Sequence, residues 1–203
     1  MGETRMNVRF VHEEEFTGFV TKLRERMNAH EPRRIQNSNC RDAAVLIPLF
    51  NKNNEACVLV TKRTDTVATH RGQMALPGGA YDLEDGSRLI TALRETEEEV
   101  GIHRDHVEVI GEFDEFISIA GFHVASFVGI IPHPYEYAIN PEEIDAYVEV
   151  PLSIFLNREF EKVEKVEFNG HSYNVYFYMY QGFQIWGLTA RILTDFADKL
   201  LGG

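Results

Sequence analysis

Residues 76–102 read LPGGAYDLEDGSRLITALRETEEEVGI, a loop rich in chain breakers that runs into a single helix. Pro77, Gly78 and Gly79 can bring backbone close to a ligand, because glycine has no Cβ to obstruct the approach. Asp85 or Ser87 can cap the helix start, and Gly101 offers the left-handed residue that commonly ends one. Leu89, Leu93, Thr96 and Val100 recur at helical spacing, which predicts a buried stripe. At about 100° per residue, Glu95, Glu98 and Glu99 share an arc of roughly 100° on the side away from that stripe, and Glu97 falls outside it. Carboxylates crowded in this way repel one another unless a cation sits between them. The hard, oxygen-seeking ions Mg²⁺ and Mn²⁺ suit such a set. An isolated E-x-x-E-E also describes a solvated acidic helix face, so the helix alone does not decide.

The loop and helix together resemble the Nudix box, the signature of hydrolases that cleave diphosphates linked to another moiety. Residues 94–102, RETEEEVGI, fit its second half, with Thr96 where an aliphatic residue is usual. The first half departs from the general pattern: one extra residue lies between Gly79 and Arg94, and Asp85 stands about where a glutamate is expected. That longer spacer is similar to the coenzyme A diphosphatase subfamily. So are residues 59–64, LVTKRT, and residues 70–79, HRGQMALPGG, which resemble the subfamily's L-L-T-x-R-[SA] and G-x-x-x-F-P-G-G segments. Thr64 replaces Ser or Ala, Ala68 sits where an arginine is common, and Leu76 replaces Phe. Further resemblance lies in residues 128–132, at Glu143 and Ile144 before Pro151 and Leu152, and in residues 185–190. The likeness therefore covers about residues 42–198.

Working outward, the 203 residues suffice for one substantial core and a single domain. Hydrophobic residues at 44% and aromatic residues at 11% predict a globular chain. No apolar run reaches the length of a membrane span, and the N-terminus lacks the apolar core of a signal peptide. Cys40 and Cys57 are the only cysteines, too few for a disulfide framework, so the expected setting is cytoplasmic. The net charge of −12 argues against nucleic acid or an anionic membrane surface as the main partner. It also makes a cation more necessary if the substrate is an anionic diphosphate.

Residues 1–40 read as an N-terminal helical appendage and 41–203 as the Nudix domain. Phe16, Phe19, Val20, Leu23 and Met27 recur at helical spacing within residues 13–27, a face that would pack against the domain or a second copy of the chain. Pro32, Arg33 and Arg34 lie in a polar linker, solvated or touching a phosphate. Residues 43–50 and 56–61 predict a hairpin around the turn at 51–54. After the helix, residues 107–113 and 122–131 read as strands joined by a loop carrying Asp114 and Glu115. A proline-punctuated connection then leads to Glu142 and Glu143. Residues 151–155 suggest a short helical turn, 165–168 and 173–179 a hairpin around Asn169 and Gly170, and 184–201 the closing helix. The apolar set Tyr173, Val175, Phe177 and Met179 reads as core. Mixed strands and two or three helices imply an α/β/α sandwich around a mixed sheet, as the Nudix resemblance also implies.

The resemblance implies hydrolysis of the diphosphate bond of coenzyme A or an acyl-CoA, to 3′,5′-adenosine diphosphate and (acyl-)4′-phosphopantetheine. It assigns Glu95, Glu98, Glu99 and the Gly78 carbonyl to Mg²⁺ or Mn²⁺. Arg94 would orient a glutamate, which its planar fork can do bidentately. The general base is open between Glu98 and Glu143. Lys62, Arg63, His70, Arg71 and Gly79 are the candidates for holding substrate; a solvated or structural place is the alternative for each charged one. Competing readings are a Nudix hydrolase of another nucleoside diphosphate, such as NADH or ADP-ribose, and a nucleotide-sensing domain without catalysis. A binder has no need of mutually repelling carboxylates, which speaks against the second.

Overall fold

The computed structural model describes residues 4–36, 39–64, 72–168 and 171–202. Strands β1 (Arg41–Lys52) and β2 (Glu55–Arg63) form the expected hairpin. Asn53 and Asn54 turn it with φ of 52° and 62°, the left-handed pair that suits a two-residue connection between twisted strands. The hairpin then forks. β1 pairs with β2 only from Leu49 onward, and lower down the same edge takes up β4 (Gly78–Ala80). β2 meanwhile pairs with the short β3 (Met74–Ala75). Residues 76 and 77 bridge the fork, and the Leu46 amide donates to the Pro77 carbonyl at 2.9 Å.

The main sheet runs β3-β2-β1-β6-β5, with β4 beside β1 and β7 beside β2; β5 is Glu108–Ile117, β6 Phe122–Ile130 and β7 Ile144–Pro151. β1 and β6 are parallel and the remaining pairs antiparallel, so the sheet is mixed. Side chains alternate across it. Ala44, Leu46, Phe50, Cys57 and Leu59 face the helix α2 (Arg88–Val100), meeting Ala92, Leu93 and Val100. Ile47, Leu49, Val58 and Val60 face the other layer. That layer holds α1 (Glu15–Ala29), α3 (Leu152–Leu156) and α4 (Gly187–Phe196), through Phe19, Leu23, Phe155, Ile192 and Phe196. The architecture is the α/β/α sandwich of the Nudix fold.

Several elements depart from the sequence reading. Residues 4–29 keep to it in one respect, since the α1 face packs on the domain, one of its two expected places; Met6, Val8, Phe19, Leu23 and Met27 join the core. The Met6 amide also donates to the Leu201 carbonyl. Strand β7 is an addition. It follows a loop whose prolines and acidic residues masked the alternation behind them. Asp114 and Glu115 lie inside β5, not in a loop, and are 0% and 2% exposed. Residues 184–186 belong to β10 (Phe183–Trp186), which pairs with β9 (His171–Tyr180); the helix begins only at Gly187, whose φ of +65° turns the chain. A small sheet, β10-β9-β8 with β8 spanning Lys162–Phe168, results. On β9 Tyr176, Tyr178 and Tyr180 pack on the core; of the expected set Phe177 is buried, while Tyr173 and Met179 are exposed. Aromatic residues occupy both faces of that strand and are buried on both, so composition did not single out the tyrosine face. Asn169 and Gly170 lie outside the described residues. No described helix is long and apolar enough to cross a membrane.

Candidate active site

The fork in the sheet positions the site. Gly78 enters β4 with φ +152°, and a Cβ there would stand 2.2 Å from the Ala44 carbonyl oxygen, so only glycine fits. At Gly79 a Cβ would stand 2.4 Å from the Glu95 carboxylate. The two glycines thus let α2 lie directly on the loop with its carboxylates against backbone. Ser87 caps the helix, its Oγ accepting from the Ile90 amide, and Gly101 closes it with φ 72°. Asp85 is not the cap; it ends a single 3-10 turn, Leu83–Asp85, itself capped by Asp82. The spacer between Gly79 and Arg94 contains this turn, which presents Asp85 to Arg94.

Arg94 is the hub of the exposed half of the site. Its Nε and Nη2 reach Asp85 at 2.8 and 3.1 Å, Nη2 reaches Glu95 at 2.9 Å and Nη1 reaches Glu98 at 2.7 Å. The Arg94 guanidinium, helped by the Thr91 hydroxyl, holds the Asp85 carboxyl down at about 2. Glu95 goes the other way: burial raises its proton affinity despite Arg94, and the charges of Glu98 and Glu143 add to the rise.

Glu99 was expected on the face away from the buried stripe, yet it is 1% exposed. The glycine loop gives it room between helix and sheet. Its Oε2 accepts from the Gly78 amide at 3.2 Å and its Oε1 from Arg63 at 3.0 Å. Burial nevertheless pushes its carboxyl up to about 8, with Glu95 and Glu143 contributing repulsion. Glu143 is held beside this cluster by its backbone. Its carbonyl accepts from the Thr64 amide at 2.8 Å, its amide donates to Asn140, and the Asn140 amide donates to the Glu99 carbonyl.

The structure therefore brings Arg63, Gly78, Gly79, Arg94, Glu95, Glu98, Glu99 and Glu143 together. Lys62 is separated from them: it is paired with Asp145, one strand position away from Arg63 and hence on the opposite side of the sheet. His70 and Arg71 lie outside the described residues. Sequence reasoning missed the partnership of Arg63 with Glu99. Strand alternation from Cys57 and Leu59 was the available signal.

The donor set fits a hard divalent cation. Five carboxylates (Asp85, Glu95, Glu98, Glu99, Glu143) face two guanidiniums, and two of the five bind protons more tightly than usual. Burial is the main cause of that rise and carboxylate repulsion adds to it; a divalent ion with oxygen ligands would favour the charged forms against both. Among the described residues no three His, Cys, Asp or Glu side chains already stand in coordinating geometry. One carboxylate oxygen each of Glu95, Glu98 and Glu99 is paired with arginine instead.

Residues 41–169 match the NUDIX domain. The uncharacterized Nudix hydrolase NudL of Photorhabdus laumondii is 40% identical over 169 residues, covering 83% of this chain and 89% of its own length. NudL of an Enterobacter strain is 41% identical over 162 residues, 80% of this chain and 84% of its own. Among solved structures, a MutT/nudix family protein from Enterococcus faecalis shares the fold with TM-score 0.50 at 13% identity, over 92% of this chain and 73% of its own. The chain belongs to the Nudix hydrolase family, whose members generally use divalent metal ions and act on nucleoside diphosphate derivatives.

Proposed function

We propose that this hydrolase cleaves the diphosphate bond of coenzyme A or an acyl-CoA, releasing 3′,5′-adenosine diphosphate and (acyl-)4′-phosphopantetheine. The observation that carries the reading is the segment before the glycine loop: residues 59–64 and 70–79, with the longer spacer behind them, resemble the coenzyme A subfamily. Arg63 of that segment reaches the acidic cluster, which supports the link between motif and site.

Glu95, Glu98, Glu99 and the Gly78 carbonyl would hold Mg²⁺ or Mn²⁺. The bound ion supplies charge neutralisation at the phosphates and a lowered pKa for attacking water. Arg94 orients Glu95 and Glu98, and its second anchor on Asp85 keeps it from swinging toward substrate. Glu98, which is half exposed, and Glu143, fixed by its backbone next to Glu99, are the two groups able to take the proton of the attacking water. Glu98→Gln and Glu143→Gln separate them. The base variant loses turnover by a factor of about 10² to 10⁴; Glu143→Gln should keep Mn²⁺ binding, whereas Glu98→Gln also removes a proposed ligand and should weaken it. The substrate reading is tested with a panel of coenzyme A, NADH, ADP-ribose and nucleoside triphosphates under Mg²⁺. The highest kcat/KM should fall to coenzyme A, and a higher value for NADH or ADP-ribose would replace it as the substrate.

A further inference from the structure

Arg63 carries three features that hydrolysis by the acidic cluster does not by itself explain. Cys57 and Leu59 pack under α2, and the same strand parity sends Arg63 toward that helix. The irregularity in pairing between Lys62 and Arg63 puts the extra residue, Asp145, in β7, so β2 keeps its alternation. One guanidinium nitrogen donates to Glu99 Oε1 at 3.0 Å, while Arg63 Nε is buried without a hydrogen-bond partner among the described residues. A stranded donor of this kind is costly, and a better acceptor would draw the side chain to itself.

Glu99 does not depend on Arg63 for its position. Its other oxygen is anchored by the Gly78 amide, and its carbonyl takes the Asn140 amide. Glu99 thus has one fixed oxygen and one that can change partners. The backbone of Arg63 is fixed too, its amide donating to Gln73 and its carbonyl accepting from Gly72, so movement is confined to the long side chain. The planar guanidinium, once free, matches a phosphate better than it matches the single carboxylate oxygen it now holds.

We propose that Arg63 is an exchangeable counter-ion, which neutralises Glu99 until a divalent cation takes its place and then turns to the diphosphate of the substrate. This rests on the reading of the acidic cluster as a cation site. Two cations competing for one oxygen oppose each other. A guanidinium released onto phosphate makes cation and diphosphate bind with positive coupling, and the coupling is reciprocal. The cluster would then hold its substrate arginine back until the hydrolytic centre is complete.

The test compares wild type with Arg63→Met and Arg63→Lys, without substrate. Mn²⁺ binding, followed by the spin-resonance signal of free Mn²⁺, should be at least about fivefold tighter in Arg63→Met and close to wild type in Arg63→Lys. ADP serves as the diphosphate probe in calorimetry. Mg²⁺ should tighten its binding to wild type about tenfold more than to Arg63→Met. In wild type the Arg63 Nε–H nitrogen resonance should shift on adding Mg²⁺ and again on adding ADP. Equal or weaker Mn²⁺ binding by Arg63→Met overturns the proposal. If that variant fails to fold, an Nε–H resonance unmoved by Mg²⁺ overturns it instead. Expected Mn²⁺ and Nε–H results in an enzyme that leaves coenzyme A intact would refute only the substrate assignment.

Discussion

At the scale of single residues the site turns on Glu99, a carboxylate that the fold buries and only partly compensates. Its two contacts, Arg63 and the Gly78 amide, do not offset burial, as its raised proton affinity records. Glu99→Gln removes that charge while keeping size and shape. Without divalent ions the variant should be about 1 kcal/mol more stable than wild type. Adding Mn²⁺ at about 100 times its dissociation constant should stabilise wild type by about 2.7 kcal/mol and the variant far less. Thermal unfolding with and without Mn²⁺ measures both, and an equal response to the ion would remove Glu99 from the ligand set. Turnover by Glu99→Gln should fall by several orders of magnitude. Gly79→Ala tests the neighbouring carboxylate, Glu95, from the loop side. A methyl group 2.4 Å from the Glu95 carboxylate must displace it, so activity should drop much more than stability.

At the scale of elements the decisive feature is the buried acidic pair of β5. Asp114 receives His30 at 2.9 Å, the Arg33 amide at 2.9 Å and Lys199. Glu115 receives the Ile35 amide at 2.6 Å, His123 at 2.9 Å and Arg88. One strand thereby ties down the segment after α1, the start of α2, β6 and the C-terminal turn. Burial opposes ionisation of Glu115, yet these donors outweigh it and hold its carboxyl at about 2; Asp114 is lowered for the same reasons. Because both values lie below those of the unfolded chain, the stabilisation is complete above the ordinary carboxylate range. It is lost as pH falls from about 4.5 toward 2, and Glu115 accounts for about 2 to 3 kcal/mol of it. Urea unfolding from pH 6 to pH 2 should show this acid limb in wild type and a much shallower one in Glu115→Gln. Equal slopes would mean that the pair does not anchor the segment.

This pair also shows what the sequence could and could not convey. Helix α2 was legible because its caps, stripe and carboxylate spacing all lie within 27 consecutive residues. Asp114 and Glu115 read as loop because carboxylates are rarely buried unless paired. Their partners come from positions 30, 33, 35, 88, 123 and 199, which no local pattern connects. Arg33 and Arg34 looked like solvated linker for the same reason. The tyrosine-rich strand β9 was placed as a strand correctly and its faces only in part, since alternation fixes two faces without naming the buried one and Phe177 and Tyr178 are buried on opposite sides. Lys62 and Arg63 were both offered as substrate contacts, whereas strand parity separates them.

At the scale of the whole molecule, a chain with net charge −12 must bind a substrate that is itself strongly anionic. Coenzyme A differs from dephospho-coenzyme A by a 3′-phosphate remote from the scissile bond. An acidic protein repels that group unless basic side chains meet it, and Ala68 stands where the subfamily resemblance leads one to expect arginine. Coenzyme A should therefore be preferred only modestly, by a contact worth about 1.5 to 3 kcal/mol before screening. The preference in kcat/KM should shrink as salt rises and shrink further in Arg71→Ala. Equal values for the two substrates at low and high ionic strength would mean that the 3′-phosphate is not read. The most direct measurement is product identification by mass spectrometry after incubating the protein with coenzyme A and Mg²⁺, with and without a chelator. The expected result is 3′,5′-adenosine diphosphate and 4′-phosphopantetheine in equal amounts, both absent when the metal is chelated. Intact coenzyme A, alongside cleavage of NADH or ADP-ribose by the same preparation, would contradict the account.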